Sequence, residues 1–158
     1  MASAVKKIPD GYSAVTPYLT VKGAAEAIEF YKRAFGAEQT MRLDAPDGKV
    51  MHAEIRIGGA ALMLHDEAPQ WQALSPQTIG DSSSSVMLYV ADVDAVMKRA
   101  ADAGATITMP AADMFYGDRC GGLKDPFGHK WSVATHVEDV APDEIGRRAA
   151  RMFEAKAS

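Results

Sequence analysis

The strongest constraint on this chain is that one order of patterns runs through it twice. From Ser13 to Val21, S-A-V-T-P-Y-L-T-V sets Val15, Pro17, Leu19 and Val21 on one face and Thr16, Tyr18 and Thr20 on the other. That period of two predicts a strand, with Pro17 marking an edge or an irregular start. Ala24, Ala27, Ile28, Tyr31 and Phe35 then recur three or four apart, which predicts a helix ended by Gly36. Residues 38–43 form a short strand, A-P-D-G-K at 45–49 a turn, and 50–57 a second strand. In that second strand Met51, Ala53, Ile55 and Ile57 oppose His52, Glu54 and Arg56. Gly58-Gly59 turns a hairpin into a third strand over 60–65.

The stretch 66–85, with Pro69, Pro76, Gly80 and four consecutive serines, has no period and reads as a loop between modules. Beyond it the order restarts. Residues 86–90 form a strand, and Val93, Val96, Met97, Ala100 and Ala103 make a helix stripe closed at Gly104. A strand over 105–109, an aromatic loop at Phe115-Tyr116-Gly117 and a strand near 119–123 follow. The turn Asp125-Pro126-Phe127-Gly128 leads to a last strand over 130–135. Val21 and Val90 lie 69 residues apart, and Gly36 and Gly104 lie 68 apart. Two copies of a βαβββ unit, at 13–65 and 86–135, within one α+β domain over 1–158 are the economical reading. A terminal helix over 141–156 is expected from Pro142, the acids Asp143 and Glu144, and the later Arg147, Arg148 and Arg151.

Composition narrows the function. The 17 basic against 21 acidic residues give a formal charge of −4, and no basic stripe is present, so nucleic acid is not an expected partner. Cys120 is the single cysteine, which excludes an internal disulfide or a thiolate cluster and fits a reducing cytosol. No apolar run approaches the length that spans a bilayer, and the opening residues lack a signal-like apolar segment. A cytoplasmic protein without a membrane partner is expected.

Several polar residues could furnish a site. His52, Glu54 and Arg56 share one strand face, and the next strand sets Met63 and His65 on the same side; His52, Glu54 and His65 are candidate acid–base groups or atypical metal ligands. The alternative is a pocket lining joined in a local hydrogen-bond and charge network. In His65-Asp66-Glu67 a carboxylate could orient the imidazole, although Asp66 and Glu67 also suit capping or a solvated loop. Arg119 offers a fork for a carboxylate or phosphate beside the walls Phe115 and Tyr116, or a salt bridge to a structural acid such as Asp118 or Asp125. Alternation sets Tyr89 with Ser85 and Met87 on the pocket face. Trp71 is a lid or a dimer contact, Trp131 a core residue, His129 a structural group, and His136 a support for the terminal segment. Cys120 reads as a small, half-buried side chain.

The repeated unit, with I-E-F-Y-K-R-A-F-G-A at 28–37, P-D-G-K at 46–49 and D-P-F-G-H at 125–129, resembles the vicinal-oxygen-chelate superfamily of glyoxalases, bleomycin-resistance proteins and dioxygenases. H-A-E-I-R-I-G at 52–58, G-D-R at 117–119 and T-H-V-E-D-V at 135–140 resemble its PhnB-like branch. The resemblance implies paired βαβββ modules forming a curved mixed sheet around a ligand cleft. It also implies a divalent ion in the metal-dependent members, held by His or Glu on the first and last strands of each module. The matching positions here are Thr16, Met63, Ser85 and Ser132, none of which is a strong ligand. The expected function is therefore cofactor-free binding of a small organic ligand, with Thr16, Met63, Tyr89, Phe115, Tyr116, Arg119 and Ser132 as lining residues. A metal-dependent lyase, isomerase or dioxygenase, or a metal-free acid–base enzyme using His52, Glu54 and His65, is the alternative. The resemblance further implies a homodimer, for which Tyr12, Tyr31, Phe153 and the long loop offer anchors.

Overall fold

Burial alternates along the inner strands of the first sheet, over 50–57 and 60–66, and selects one face for a helix. The computed structural model describes residues 5–157; residues 1–4 and 158 of the expected domain lie outside it. The first module comprises β1 (Tyr18–Val21), α1 (Ala24–Phe35), β2 (Glu38–Asp44), β3 (Val50–Ile57) and β4 (Ala60–Asp66). After a one-turn 3-10 helix (Pro69–Trp71) and the short α2 (Pro76–Ile79) comes β5 (Ser85–Tyr89). The second module continues with α3 (Val93–Asp102), β6 (Thr106–Asp113), β7 (Asp118–Lys124) and β8 (Lys130–His136), and the chain closes with α4 (Pro142–Ala157). The two sheets run β1-β4-β3-β2 and β5-β8-β7-β6, each with its first strand parallel to its last and the other pairs antiparallel. This is the expected α+β arrangement, with the modules keeping separate four-stranded sheets.

The repeat extends to how each helix is started. Asp66, at the end of β4, accepts hydrogen bonds from the Gly23 and Ala24 amides at 2.8 and 2.9 Å and from the Val50 amide at 2.8 Å. In the second module Thr135 of β8 accepts from the Val93 amide at 2.9 Å. Both satisfy a donor left free at a helix N-terminus. Asp66 is thus a cap rather than a partner for an acid–base His65.

The helices α1 and α3 pack against one another, so the modules stand back to back with a shared core. Its centre is aromatic: the rings of Phe35 and Trp131 lie 4.6 Å apart and those of Tyr31 and Trp131 5.4 Å. Asp125, in the D-P-F-G turn, is 4% exposed and spends all its acceptor capacity here. Its Oδ2 accepts from the Tyr31 hydroxyl at 2.7 Å and the Trp131 indole at 2.9 Å, and its Oδ1 from the Phe127 and His129 amides. One buried carboxylate therefore fixes the turn and ties the first module's helix to the second module's sheet. Tyr31, expected as a dimer anchor, is fully buried, and that role does not hold. His129 ties the modules again, its Nε2 donating to the Thr20 carbonyl at 2.9 Å.

Two local departures change which way side chains point. The pairing of β2 with β3 shifts between Leu43 and Asp44, so Val50 is buried while Met51 is 48% exposed, against the alternation expected for Met51. β1 begins only at Tyr18, because Pro17 lacks the N–H that the ladder needs; its carbonyl still accepts from the Met63 amide.

Candidate functional site

With the helices between the sheets, the opposite face of each sheet is left open. On the first module it carries Tyr18 and Thr20 from β1, Met41 and Leu43 from β2, His52, Glu54 and Arg56 from β3, and Met63 and His65 from β4. Register sets these residues side by side: Tyr18 faces Met63, Thr20 faces His65, and Met41 and Leu43 face Glu54 and His52.

The polar residues on this face form a connected chain. The Tyr18 hydroxyl meets His52 Nδ1 at 2.9 Å, and His52 Nε2 meets Glu54 Oε1 at 3.2 Å. Tyr12 donates its hydroxyl to Glu54 Oε2, and the Arg56 guanidinium lies 5.0 Å from the centre of the Tyr12 ring. Donors from Tyr12 and then His52 hold the Glu54 carboxyl below the usual carboxylate range. Burial, with Glu54 nearby, raises the Tyr18 hydroxyl. His65 is satisfied separately. Its Nδ1 donates to the Asp66 carbonyl at 2.7 Å, and its Nε2 pairs with the Thr20 hydroxyl at 3.1 Å. The Tyr18 ring stands edge-on to both imidazoles, 5.5 Å from His52 and 5.0 Å from His65. His52 and Glu54 thus touch each other, while His65 joins them only through Tyr18. Tyr12 and Tyr18 join this group through contacts that span 42 and 34 residues, which leave no local signal in the sequence.

On the second module the open face holds Ser85, Met87 and Tyr89 from β5, Ser132 and His136 from β8, Asp118 and Cys120 from β7, and Met109 from β6. Tyr89 donates to Asp118 Oδ2 at 2.7 Å, and His136 Nδ1 lies 2.7 Å from Asp118 Oδ1. His136 and then Tyr89 hold Asp118 below the usual aspartate range. Tyr89, Tyr116, Asp118 and His136 form one wall of a cavity of about 490 Å³ whose other wall is Val140, Ala141 and Ile145. Phe115 is half-buried, with its ring edge-on to Tyr116 at 5.2 Å.

Of its two expected roles, Arg119 takes the salt bridge to structural acids, with Asp94 and Asp113 as the partners. It turns to the α3 side, where its Nε and Nη2 donate to Asp94 at 2.7 and 2.9 Å and its Nη1 to Asp113 at 3.1 Å. Between them the two carboxylates occupy its fork, so it is a strut between β7, α3 and β6 and not a pocket cation. Asp118, which precedes it, takes the open face instead. Trp71 is 74% exposed and lines a small cavity of about 200 Å³ with Met51 and His65. A larger groove of about 760 Å³ runs from Tyr18 and Thr20 to Lys130 along residues 74–84.

The four positions that the resemblance sets against metal ligands give a weak donor set. Thr16 is directed to the Ser13 carbonyl at 3.5 Å, Met63 lies beside Tyr18, and Ser85 and Ser132 are on the second module's face. Three hydroxyls and a thioether do not suit a divalent transition ion. Among the described residues, no three His, Cys, Asp or Glu side chains are grouped to hold one elsewhere.

A family model described as the Glyoxalase/Bleomycin resistance protein/Dioxygenase superfamily matches residues 13–133. The chain belongs to this superfamily. It is 44% identical over 135 residues to an uncharacterized Mycobacterium bovis protein, spanning 84% of this chain and 89% of that one. Among solved structures it is similar to TioX from Micromonospora sp. ML1, with 27% identity, a TM-score of 0.63, and coverage of 79% of this chain and 99% of that one. The PhnB protein from Bacillus cereus shares the fold at 21% identity, with a TM-score of 0.62 over 78% of this chain and 99% of that one. No helix among the described residues is long and apolar enough to cross a membrane.

Proposed function

We propose that this superfamily member binds a small, mostly apolar organic molecule against the open sheet faces, without a metal ion, and that a second copy of the chain closes the cleft. The observation that carries the reading is the make-up of the first module's open face. Tyr18, Met41, Leu43 and Met63 supply apolar area around a hydrogen-bonded Tyr18–His52–Glu54 chain. An apolar wall with a few oriented polar groups is the usual form of a small-molecule site. Methionine, unbranched and polarizable, lets such a wall adapt to ligands of different outline.

A second copy is supported by what remains uncovered. Tyr18 is 54% exposed and Tyr89 59%, and Met41, Leu43, Met87 and Met109 are each above 40%. Each open face thus leaves large apolar side chains in water, as a surface that meets a partner does. The cytosol, where Cys120 stays reduced, is the compartment that this reading assigns. A second reading, metal-free acid–base catalysis, is favoured by one feature: the contiguous path from Glu54 through His52 to the Tyr18 oxygen could pass a proton to a bound molecule.

Titration calorimetry of chelator-treated protein against a library of metabolites and planar antibiotics tests the proposal. Saturable binding is expected, weakened about tenfold by His52→Ala, the equivalent of one good hydrogen bond. Turnover of a bound library member that is abolished by Tyr18→Phe or His52→Ala would establish the acid–base reading instead. Failure of the whole library to bind would overturn both. Light scattering should report a dimer, and a monomer at micromolar concentration would remove the second copy.

A further inference from the structure

The four histidines differ in how many protons their partners require. His52 faces a hydroxyl and a carboxylate, His65 a carbonyl and a hydroxyl, and His129 a carbonyl at its Nε2, so a neutral ring satisfies each. His136 has a carboxylate at both nitrogens: Asp118 Oδ1 at 2.7 Å from Nδ1 and Asp139 Oδ1 at 2.9 Å from Nε2. An ionised carboxylate only accepts, and a neutral imidazole has one N–H. Both bonds therefore exist together only when the ring carries two protons.

The two acids belong to different parts of the molecule. Asp118 is 4% exposed, stands in β7 and also receives the Tyr89 hydroxyl. Asp139 lies in the segment that leads from β8 into α4. That segment docks through its backbone: the Val137 and Glu138 amides both donate to the Gly117 carbonyl at 2.9 Å. Gly117 has φ of +103°, and a Cβ there would collide with the Glu138 carbonyl. Arg148 of α4 then reaches back to Glu138 at 2.7 and 2.9 Å and to the Phe115 carbonyl at 3.3 Å. Val140, Ala141 and Ile145 complete the 490 Å³ cavity over Tyr89 and Tyr116. α4 does not pack along either sheet as α1 and α3 do, so these few bonds set its position.

We propose that the segment from Val137 to Ile145 is a pH-operated latch over the open face of the second module, closed while doubly protonated His136 bridges Asp118 and Asp139. Losing the second proton leaves one N–H for two carboxylates and brings their charges together across a neutral ring, so the Asp139 side lets go. The groups that face His136 are Asp118 from β7, Tyr89 from β5, Tyr116 from the loop before β7, and Asp139 from the segment itself. Glu138 and Glu144 lie nearby but are paired with Arg148 and with Arg147, Arg148 and Arg151. Asp139 and then Asp118 raise His136 above its ordinary value of 6.5. A group raised on closing contributes fully below that ordinary value and loses its contribution as pH rises through the raised one. The latch is closed below that ordinary value and loosens as pH rises through the raised one.

Hydrogen exchange of the full chain, read by NMR from about pH 5.5 to about pH 8.5 and corrected for intrinsic base catalysis, tests this. Protection at Val137, Glu138 and the amides from Ile145 to Arg148 should fall through the His136 titration seen in its ring protons. The fall should be about two- to fivefold, because the His136 side chain is half-exposed and that of Asp139 fully exposed, and an exposed pair is screened by water. In Asp139→Asn the His136 titration should move down and the protection step with it. In His136→Gln the protection of the segment should no longer change with pH in this range, with β7 and β8 unchanged. Equal protection on both sides of the titration, or a step that survives in His136→Gln, would overturn the latch.

Discussion

The two open faces grow from the same repeated frame, yet their polar groups do opposite work. On the first module the chain Tyr18–His52–Glu54–Tyr12 closes largely upon its own sheet, and His65 is settled by Thr20 and the Asp66 backbone. On the second, Asp118 passes its hydrogen bonds outward, from Tyr89 through His136 to Asp139 and the terminal segment. The frame holds each helix start with one residue from the last strand and leaves the open side free to diverge. One face keeps its polar groups on its own side of the molecule, and the other passes them to a later piece of the chain.

The comparison depends on the shared core, so the largest expected effect comes from breaking that. Asp125→Ala leaves the Tyr31 hydroxyl and the Trp131 indole buried without an acceptor and frees two turn amides. A loss of about 4 kcal/mol in urea unfolding is expected, with both faces disturbed together. A loss under about 1 kcal/mol would show that the modules do not rely on this carboxylate. The helix starts come next. Asp66→Ala removes the acceptor of three backbone amides and should cost about 2 kcal/mol, and Thr135→Val about 1 kcal/mol, by the same unfolding measurement. Equal losses would mean that the charged cap and the hydroxyl cap are worth the same.

Smaller effects separate the faces themselves. Gly117→Ala should displace the segment after β8 and lower the exchange protection of α4, while ligand binding at the first module stays as it was. Tyr12→Phe removes the leading donor to Glu54, so the glutamate should titrate closer to its ordinary value by carbon-detected NMR. Because Glu54 is held low in the folded protein, its contribution to stability is present above the ordinary value of 4.5 and is lost as pH falls through the lowered one. An unmoved Glu54 titration in Tyr12→Phe would mean that His52 alone sets it.

Much of the frame was legible because periodicity survives wherever one face is buried. β3 at 50–57 and the stripes of α1 and α3 follow directly from spacing. Legibility failed where the period was interrupted. The shift near Leu43 and Asp44 turned Met51 outward. Around Arg119, Gly121 and Gly122 provide no side chains to phase the strand, so its side of the sheet could not be read. Pro110 concealed the continuation of β6 to Asp113, which an edge strand tolerates. The site was less legible than the frame: His52 and Glu54 are two residues apart, but Tyr12, Tyr18 and the Asp118–His136–Asp139 bridge are brought in by tertiary structure.

The most direct test of metal-free binding is elemental analysis of the purified chain combined with ligand titration before and after chelation. The account predicts transition metal far below one ion per chain and the same ligand affinity in both samples. A stoichiometric ion, required for binding or turnover and lost in His52→Ala or His65→Ala, would contradict it.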